Sequence, residues 1–404
     1  TALAKDAAGD KWSQGMHYLA NFNAPYALWL PAVLLVVLGL VISASPRTRI
    51  WHTAPRGYGP WARLLQSPPA VVWFIVVSGL LQAAYWIRQG GDFMHARVLL
   101  VPLFCLLAPV AVIPVASPAS GRYPQPDTTR YPRQTGEVLT ATLGALWLAV
   151  AGWALWAANS PGMGAGATRV TYSGIVDERR FYSQATGSAH PLTAADYLGY
   201  PRMRAVLTTI DATPAGALLL SSGNYDQWDV VPVILPVPAT SGTPPDPNPD
   251  GTGPHTVFFT NLGMLGMNVG LNIRVLDQIG LANPLAAHTE RLQNGRIGHD
   301  KDIFRDWVIA DGPWVKWYPG VPGYLDQEWV AEAQAALQCP GTAAVLNSVR
   351  APMSPHRFLS NLLHSFAFTE YRIDRVPRYE LIRCGLDVPE FGSPPYTGLP
   401  AEGP

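Results

Sequence analysis

The chain has 404 residues, Lys+Arg and Asp+Glu in equal number at 28 each, and 48% apolar residues with 14 Trp, against only 14% charged. A net charge of zero argues against nucleic-acid binding, which needs a basic excess, and so apolar a composition argues against a wholly soluble domain. The length allows more than one domain.

The chain starts at Thr1 with no basic, apolar and small-residue leader ahead of it, and is expected to be the C-terminal portion of a longer polypeptide. Residues 1–25 are expected to form an external segment, whose polar and aromatic features are Lys5, Asp6, Asp10, Lys11 and Trp12. Lys5 is a candidate partner for a lipid-borne anion, its ammonium acting as a point charge. The competing reading is a solvated amphipathic helix.

Four apolar runs follow within residues 26–159: Tyr26–Ala44, Pro69–Ile87, Val98–Ala116 and Val138–Ala158. Each is close to the roughly 20 residues a membrane-crossing helix requires, and Pro31, Pro102, Pro109 and Pro114 are tolerated in such helices. Arg47, Arg49, Arg56 and Arg63 lie between the first two runs with no carboxylate, and Arg122, Arg130 and Arg133 lie between the last two against Asp127 alone. Basic loops stay in the cytoplasm. The external segment, the turn between the second and third runs, and everything after Asn159 are therefore predicted to face outward. Tyr85, Trp86, Trp153 and Trp156 fall near the outer helix ends, as an interfacial aromatic belt does.

The turn itself, Gln89–Leu100, reads QGGDFMHARVLL and gathers Asp92, His95 and Arg97 between two uncharged runs. Ionisable groups beside hydrocarbon are costly and serve an ion, a headgroup or a charged substrate. The reading is that this turn grips the phosphate of a lipid-linked sugar.

Residues 160–388 change to a soluble pattern. Apolar bursts at Gly216–Leu220, Thr256–Thr260, Ile273–Leu276 and Trp307–Ala310 read as short buried strands, and Ala194–Ile210 and Gln327–Leu337 read as helices. The alternation predicts an α/β domain with a mostly parallel sheet. Thr240–Pro254 is nearly all turn formers and reads as a loop, and residues 389–404 read as a disordered tail. Cys105 sits in an apolar run as a small hydrophobe. Cys339 and Cys384 lie in the outward-facing domain, where oxidation is permitted, and are predicted to form a disulfide.

In the outer domain GLANPLAAHTERL and GRIGHDK offer His288, His299 and Asp300. The histidines lack HxH or HExxH spacing, so no metal is predicted. They are candidates for binding a glycan or a phosphate, with ordinary caps and salt bridges as the competing reading. Trp314 and Trp317, in DWVIADGPWVKWYPG with Trp307 and Tyr318, present aromatic faces suited to sugar C–H surfaces or to core packing. No GxSxG, P-loop or GxGxxG is present, which leaves hydrolase and nucleotide readings without residues.

TALAKDAAGDKWSQG, YWIRQGGDFMHAR, ANSPGMG, RVTYSGIVDERRFY, TVFFTNLGMLGMNVG, GLANPLAAHTERL and IADGPWVKWYPG together resemble the terminal β-(1→2)-arabinofuranosyltransferase family of mycobacterial cell-wall assembly. The resemblance runs from Thr1 to about Pro389 and weakens near Gly121, in the Pro-rich loop and in the tail. It implies a membrane helical bundle of the GT-C glycosyltransferase class, with four spans in this chain, followed by an extracytoplasmic α/β domain at the plasma membrane. The implied donor is decaprenyl-phosphoryl-arabinofuranose, and the implied acceptor is the non-reducing end of arabinan in arabinogalactan and lipoarabinomannan. The family's acidic pair lies upstream of Thr1, so no residue here inherits a catalytic role from it. Lys5, Asp92, His95 and Arg97 are left as donor-phosphate or sugar ligands, and His288, His299, Asp300, Trp314 and Trp317 as acceptor-side or supporting residues. No cofactor is expected, and a divalent cation has no support in the spacing. A non-catalytic, membrane-anchored arabinan-binding protein is the alternative. A lipid-linked-sugar transporter ranks lower, since it needs charges at mid-membrane depth.

Overall fold

The computed structural model describes residues 11–44, 68–111, 133–163, 174–234, 254–293, 295–316 and 320–390. Lys5, the two Arg-bearing loops at 45–67 and 112–132, the turn-rich stretch at 235–253, Trp317 and Tyr318, and the tail from residue 391 lie outside the described residues. The chain divides into two compact units at Glu178/Arg179. The expected boundary was near residue 160; residues 174–178 group with the apolar unit because Val176 bridges Met94.

In the apolar unit, α1 (Trp12–Tyr26) carries Pro25 in its last turn, and Ala27 follows at φ +46°. Proline withholds a helix N–H and a left-handed residue ends the helix. The chain bends by 84° into α2 (Trp29–Ala44), where Asn23 Oδ1 accepts a hydrogen bond from Trp29 N–H at 3.1 Å. The first apolar run therefore becomes helix only at Trp29.

α3 (Pro68–Arg88) packs against α4 (Leu100–Ala111), which a short 3-10 turn, Arg97–Leu99, precedes. α5 (Arg133–Ala158) packs against α2. Ala70–Arg88 and Ala141–Ala158 are long and apolar enough to cross a bilayer, and the bent α1–α2 pair makes a third if taken as one span. α4 is shorter than a span, and the rest of its run lies outside the described residues. Trp73, Phe74, Leu81, Phe104 and Leu155 are exposed on these helices, an apolar surface suited to hydrocarbon. Trp156 and Tyr85 are exposed too, but Trp153 is buried and donates its indole N–H to Tyr26 O at 2.8 Å, so it braces the bend.

The second unit, from Arg179 onward, is built on a four-stranded mixed sheet. It contains α6 (Glu178–Thr186), α7 (Pro201–Ala212), β1 (Leu218–Ser221), β2 (Trp228–Val231), β3 (Thr256–Phe258), α8 (Leu262–Asn268) and β4 (Arg274–Leu276). Then come α9 (Pro284–His288), α10 (Arg305–Ala310), α11 (Gln327–Ala336), α12 (Pro340–Arg350), α13 (Pro355–Leu363), α14 (Ser365–Glu370) and α15 (Pro377–Cys384). The strand order is β2-β1-β3-β4, with β1, β3 and β4 parallel and β2 antiparallel at the edge.

Side chains alternate across a strand, and here both faces are apolar. Leu218, Leu220, Phe258 and Leu276 pack with α10 and α11 through Trp307, Val308, Val330 and Ala333. Leu219 and Val257 face the other way, onto Met203 and Val206 of α7 and Leu265 of α8. Burying each leucine contributes about 1.5–3 kcal/mol, so the sheet is the central layer between two helical ones. Cys339, which caps α12, is disulfide-bonded to Cys384 at the end of α15.

Three sequence expectations change. Trp307–Ala310 lies in helix α10 and is not a strand; a short apolar run fits either element until its neighbours decide. Ala194–Ile210 is not one helix. A capping box of Thr193 and Asp196 starts a 3-10 turn, Ala194–Gly199, and α7 restarts at Pro201. β2 was not anticipated.

Candidate functional site

The turn after α3 is shaped by glycines. Gly90 and Gly91 take φ +86° and +79°, and the Gly91 N–H donates to Trp86 O at 2.8 Å, closing the helix end. α1 lies against this end: the Lys11 N–H reaches Arg88 O at 3.0 Å, and a Cβ at Gly15 would overlap Ile87 O. The turn then returns through Ala96 at φ +63°, an unusual conformation for a residue with a Cβ.

Two outside contacts hold that conformation. Tyr18, fully buried on α1, donates its hydroxyl to Met94 O at 2.8 Å and accepts from Val98 N–H at 3.4 Å. Val176 adds a strand-like clamp, with its N–H to Phe93 O at 2.7 Å and its carbonyl receiving His95 N–H at 3.1 Å.

On this frame Asp92 is buried, and its Oδ2 accepts from Arg97 Nε at 2.6 Å. The Arg97 side chain remains 44% exposed, its guanidinium 5.0 Å from the centroid of the Phe93 ring. Binding through Nε fixes the plane of the fork, the arrangement that suits an oxyanion with two acceptor oxygens.

His95 Nδ1 lies 2.7 Å from Asn21 Oδ1, and Nε2 lies 3.3 Å from Tyr26 OH. With the amide oxygen accepting, the proton sits on Nδ1 and Nε2 accepts from the phenol. Burial lowers the His95 pKa, partly opposed by the nearby Asp177 carboxylate. The ring is therefore a neutral, oriented hydrogen-bonding group.

Asp92 and Arg97 thus form an ion pair, while the His95 side chain in the same turn faces Asn21 and Tyr26. Tyr18, Asn21, Tyr26 and Asp177 were missed. No sequence signal marks Tyr18 or Asn21, because their partners lie 76 and 74 residues away. Asp177 sits in IVDERR, where it reads as one charge among several.

The candidates in the second unit do not gather into an open site. His288 is buried at the end of α9, with Nδ1 3.1 Å from Tyr371 O, and burial pushes its pKa down. Asp300 is buried and paired with Arg291 at 3.3 Å; His299 is half-buried; Lys301 donates to Ala287 O. Trp314 is 2% exposed and donates its indole N–H to Gly216 O at 3.0 Å. A ring so enclosed has no face for a sugar, so the aromatic-platform reading of Trp314 gives way to core packing. Asp277 and Asn283, not anticipated as a pair, organise this region: the Asp277 carboxylate accepts from the N–H groups of Ile279, Leu281, Ala282 and Asn283. Among the described residues no three His, Cys, Asp or Glu side chains converge as metal ligands.

Residues 239–376 match the AftB family C-terminal domain. Along 98% of its length it is 68% identical to the terminal β-(1→2)-arabinofuranosyltransferase of Mycobacterium tuberculosis, of which it covers 62%. It is 34% identical over 377 residues to the protein of the same name in Corynebacterium glutamicum, covering 90% of this chain and 50% of that one. The chain thus spans between half and two thirds of the length of these curated relatives. No solved structure matches it significantly. The matched stretch includes β3, β4 and α8 to α14 with His288, Asp300 and Trp314, whereas the Asp92–Arg97 turn precedes it.

Proposed function

We propose that this chain is part of a membrane glycosyltransferase that moves arabinofuranose from decaprenyl-phosphoryl-arabinofuranose to the non-reducing ends of cell-wall arabinan, forming β-(1→2) linkages. The observation that carries the reading is the half-exposed Arg97 guanidinium, locked by buried Asp92 at the end of an apolar helix pair. The names of the two relatives supply the reaction. In this proposal the apolar unit is a four-span GT-C bundle. The turn and the domain from about residue 160 face the periplasm, a placement supported by the arginines of the loops at 45–67 and 112–132.

Transfer breaks the bond between the anomeric carbon and the phosphate oxygen, leaving charge on the departing lipid phosphate. Arg97 neutralises that charge, aided by Lys5, while His95, its two ring nitrogens engaged by Asn21 and Tyr26, orients the Tyr26 phenol, whose oxygen keeps a lone pair to accept from a sugar hydroxyl. A fixed cation in a water-poor cleft is a strong electrostatic catalyst. A β-linked donor yielding a β-linked product retains configuration, which requires two displacements or front-face attack. Trp307 and Trp314 are both buried and offer the binding-only alternative no open ring face, while Trp317 and Tyr318 lie outside the described residues.

Removing a charge-assisted hydrogen bond costs roughly 1.5–3 kcal/mol. Arg97→Ala is therefore expected to weaken decaprenyl phosphate binding in nanodiscs by about ten- to a hundredfold, with arabinose transfer lost in membranes. Wild-type binding and transfer in that variant overturn the assignment.

A further inference from the structure

The hairpin of α13 and α14 is amphipathic in the opposite sense to an ordinary surface helix. Neither helix contains a buried residue. The residues turned toward the domain are polar: Arg357 Nη2 and Asn361 Nδ2, one helical turn apart, both donate to Ser348 O near the end of α12. The outward surface carries Met353, Phe358, Leu359, Leu362, Leu363 and Phe366, between 53% and 83% exposed. Water does not favour that arrangement, and a helix as short as Pro355–Leu363 gains little stability from its own hydrogen bonds.

Charge selects the occupant. From Ala351 to Glu370 the ionisable side chains are His356, Arg357, His364 and, as the last residue of α14, Glu370, and none of them lies among the six outward apolar residues. A wide apolar face with no charged side chain within it, on a hairpin whose polar residues turn inward or lie at its ends, matches the headgroup–acyl boundary of a bilayer. The same chain carries helices long and apolar enough to cross a membrane, so a bilayer lies within its reach.

We propose that the α13–α14 hairpin is a membrane-surface anchor, with Phe358, Leu359, Leu362, Leu363 and Phe366 inserted at the interface of the outer leaflet. It fixes the height of the second unit above the lipid, independently of the donor site.

The test places an environment-sensitive nitrobenzoxadiazole label on Leu362→Cys, Phe366→Cys or, as a control on exposed α7, Asp211→Cys. Each is made in the full chain with Cys105→Ala and reconstituted in phosphatidylglycerol–phosphatidylcholine vesicles. Nitroxide-labelled lipid is expected to quench positions 362 and 366 and to leave 211 bright, while aqueous iodide quenches 211 alone. Iodide quenching of 362 and 366 overturns the anchor, since the face is then in water. Protection from both quenchers overturns it as well, because protein then covers the face. Labels at two hairpin positions guard against one substitution disturbing the fold, and loss of arabinose transfer by Arg97→Ala does not bear on the result.

Discussion

At Gly91 the backbone occupies a left-handed conformation, and a Cβ there would lie 2.3 Å from Tyr18 Cγ. Tyr18 has no room to retreat, being fully buried among Phe22, Leu99 and Ile175. Gly91→Ala is therefore expected to combine unfavourable φ with overpacking, each worth about 1–3 kcal/mol. Thermal unfolding in mild detergent measures the loss, and decaprenyl phosphate binding falls with it because Arg97 shares the turn. A variant as stable as wild type removes the Tyr18 contact from the account of the site. The neighbouring His95 shows how environment sets a role: desolvation keeps the ring neutral, and Asn21 and Tyr26 fix its tautomer.

Among the elements, the cross-link between the start of α12 and the end of α15 closes a 45-residue separation. Replacing both cysteines, Cys339→Ser with Cys384→Ser, is expected to destabilise the second unit by about 2–5 kcal/mol. Denaturant titration followed by the fluorescence of buried Trp307 and Trp314 reports it, and unchanged stability means that the network of buried Glu380 and Thr342 with Tyr371 and Arg383 already holds these helices. Elements were legible where one force dominated. Pro69–Ile87 and Val138–Ala158 were evident because nothing but apolarity is asked of them, and β1, β3 and β4 because β-rich bursts lay between turn formers. Trp307–Ala310 was misread because four consecutive apolar residues carry no period. Within the site, Asp92 and Arg97 stood out as charges beside hydrocarbon. Tyr18 and Asn21 did not, since their importance comes from partners in a distant part of the chain.

For the molecule as a whole, the orientation proposed above rests on the uneven distribution of arginines between loops. A single cysteine at Gln184, exposed on α6, is expected to react with a membrane-impermeant maleimide on intact cells, and one at Arg56 only after permeabilisation. The reverse pattern inverts the topology and takes the Arg97 turn away from a periplasmic donor.

Tyr18 bears on the energetics of the anion capture proposed above. Its phenolic oxygen spans Met94 O and Val98 N–H, so Arg97 is immobilised from a helix outside its own turn. The conformational entropy of the cation-bearing segment is thereby surrendered when the bundle assembles, and an arriving anion meets a rigid receptor, keeping for affinity the free energy that would otherwise go into ordering a floppy one.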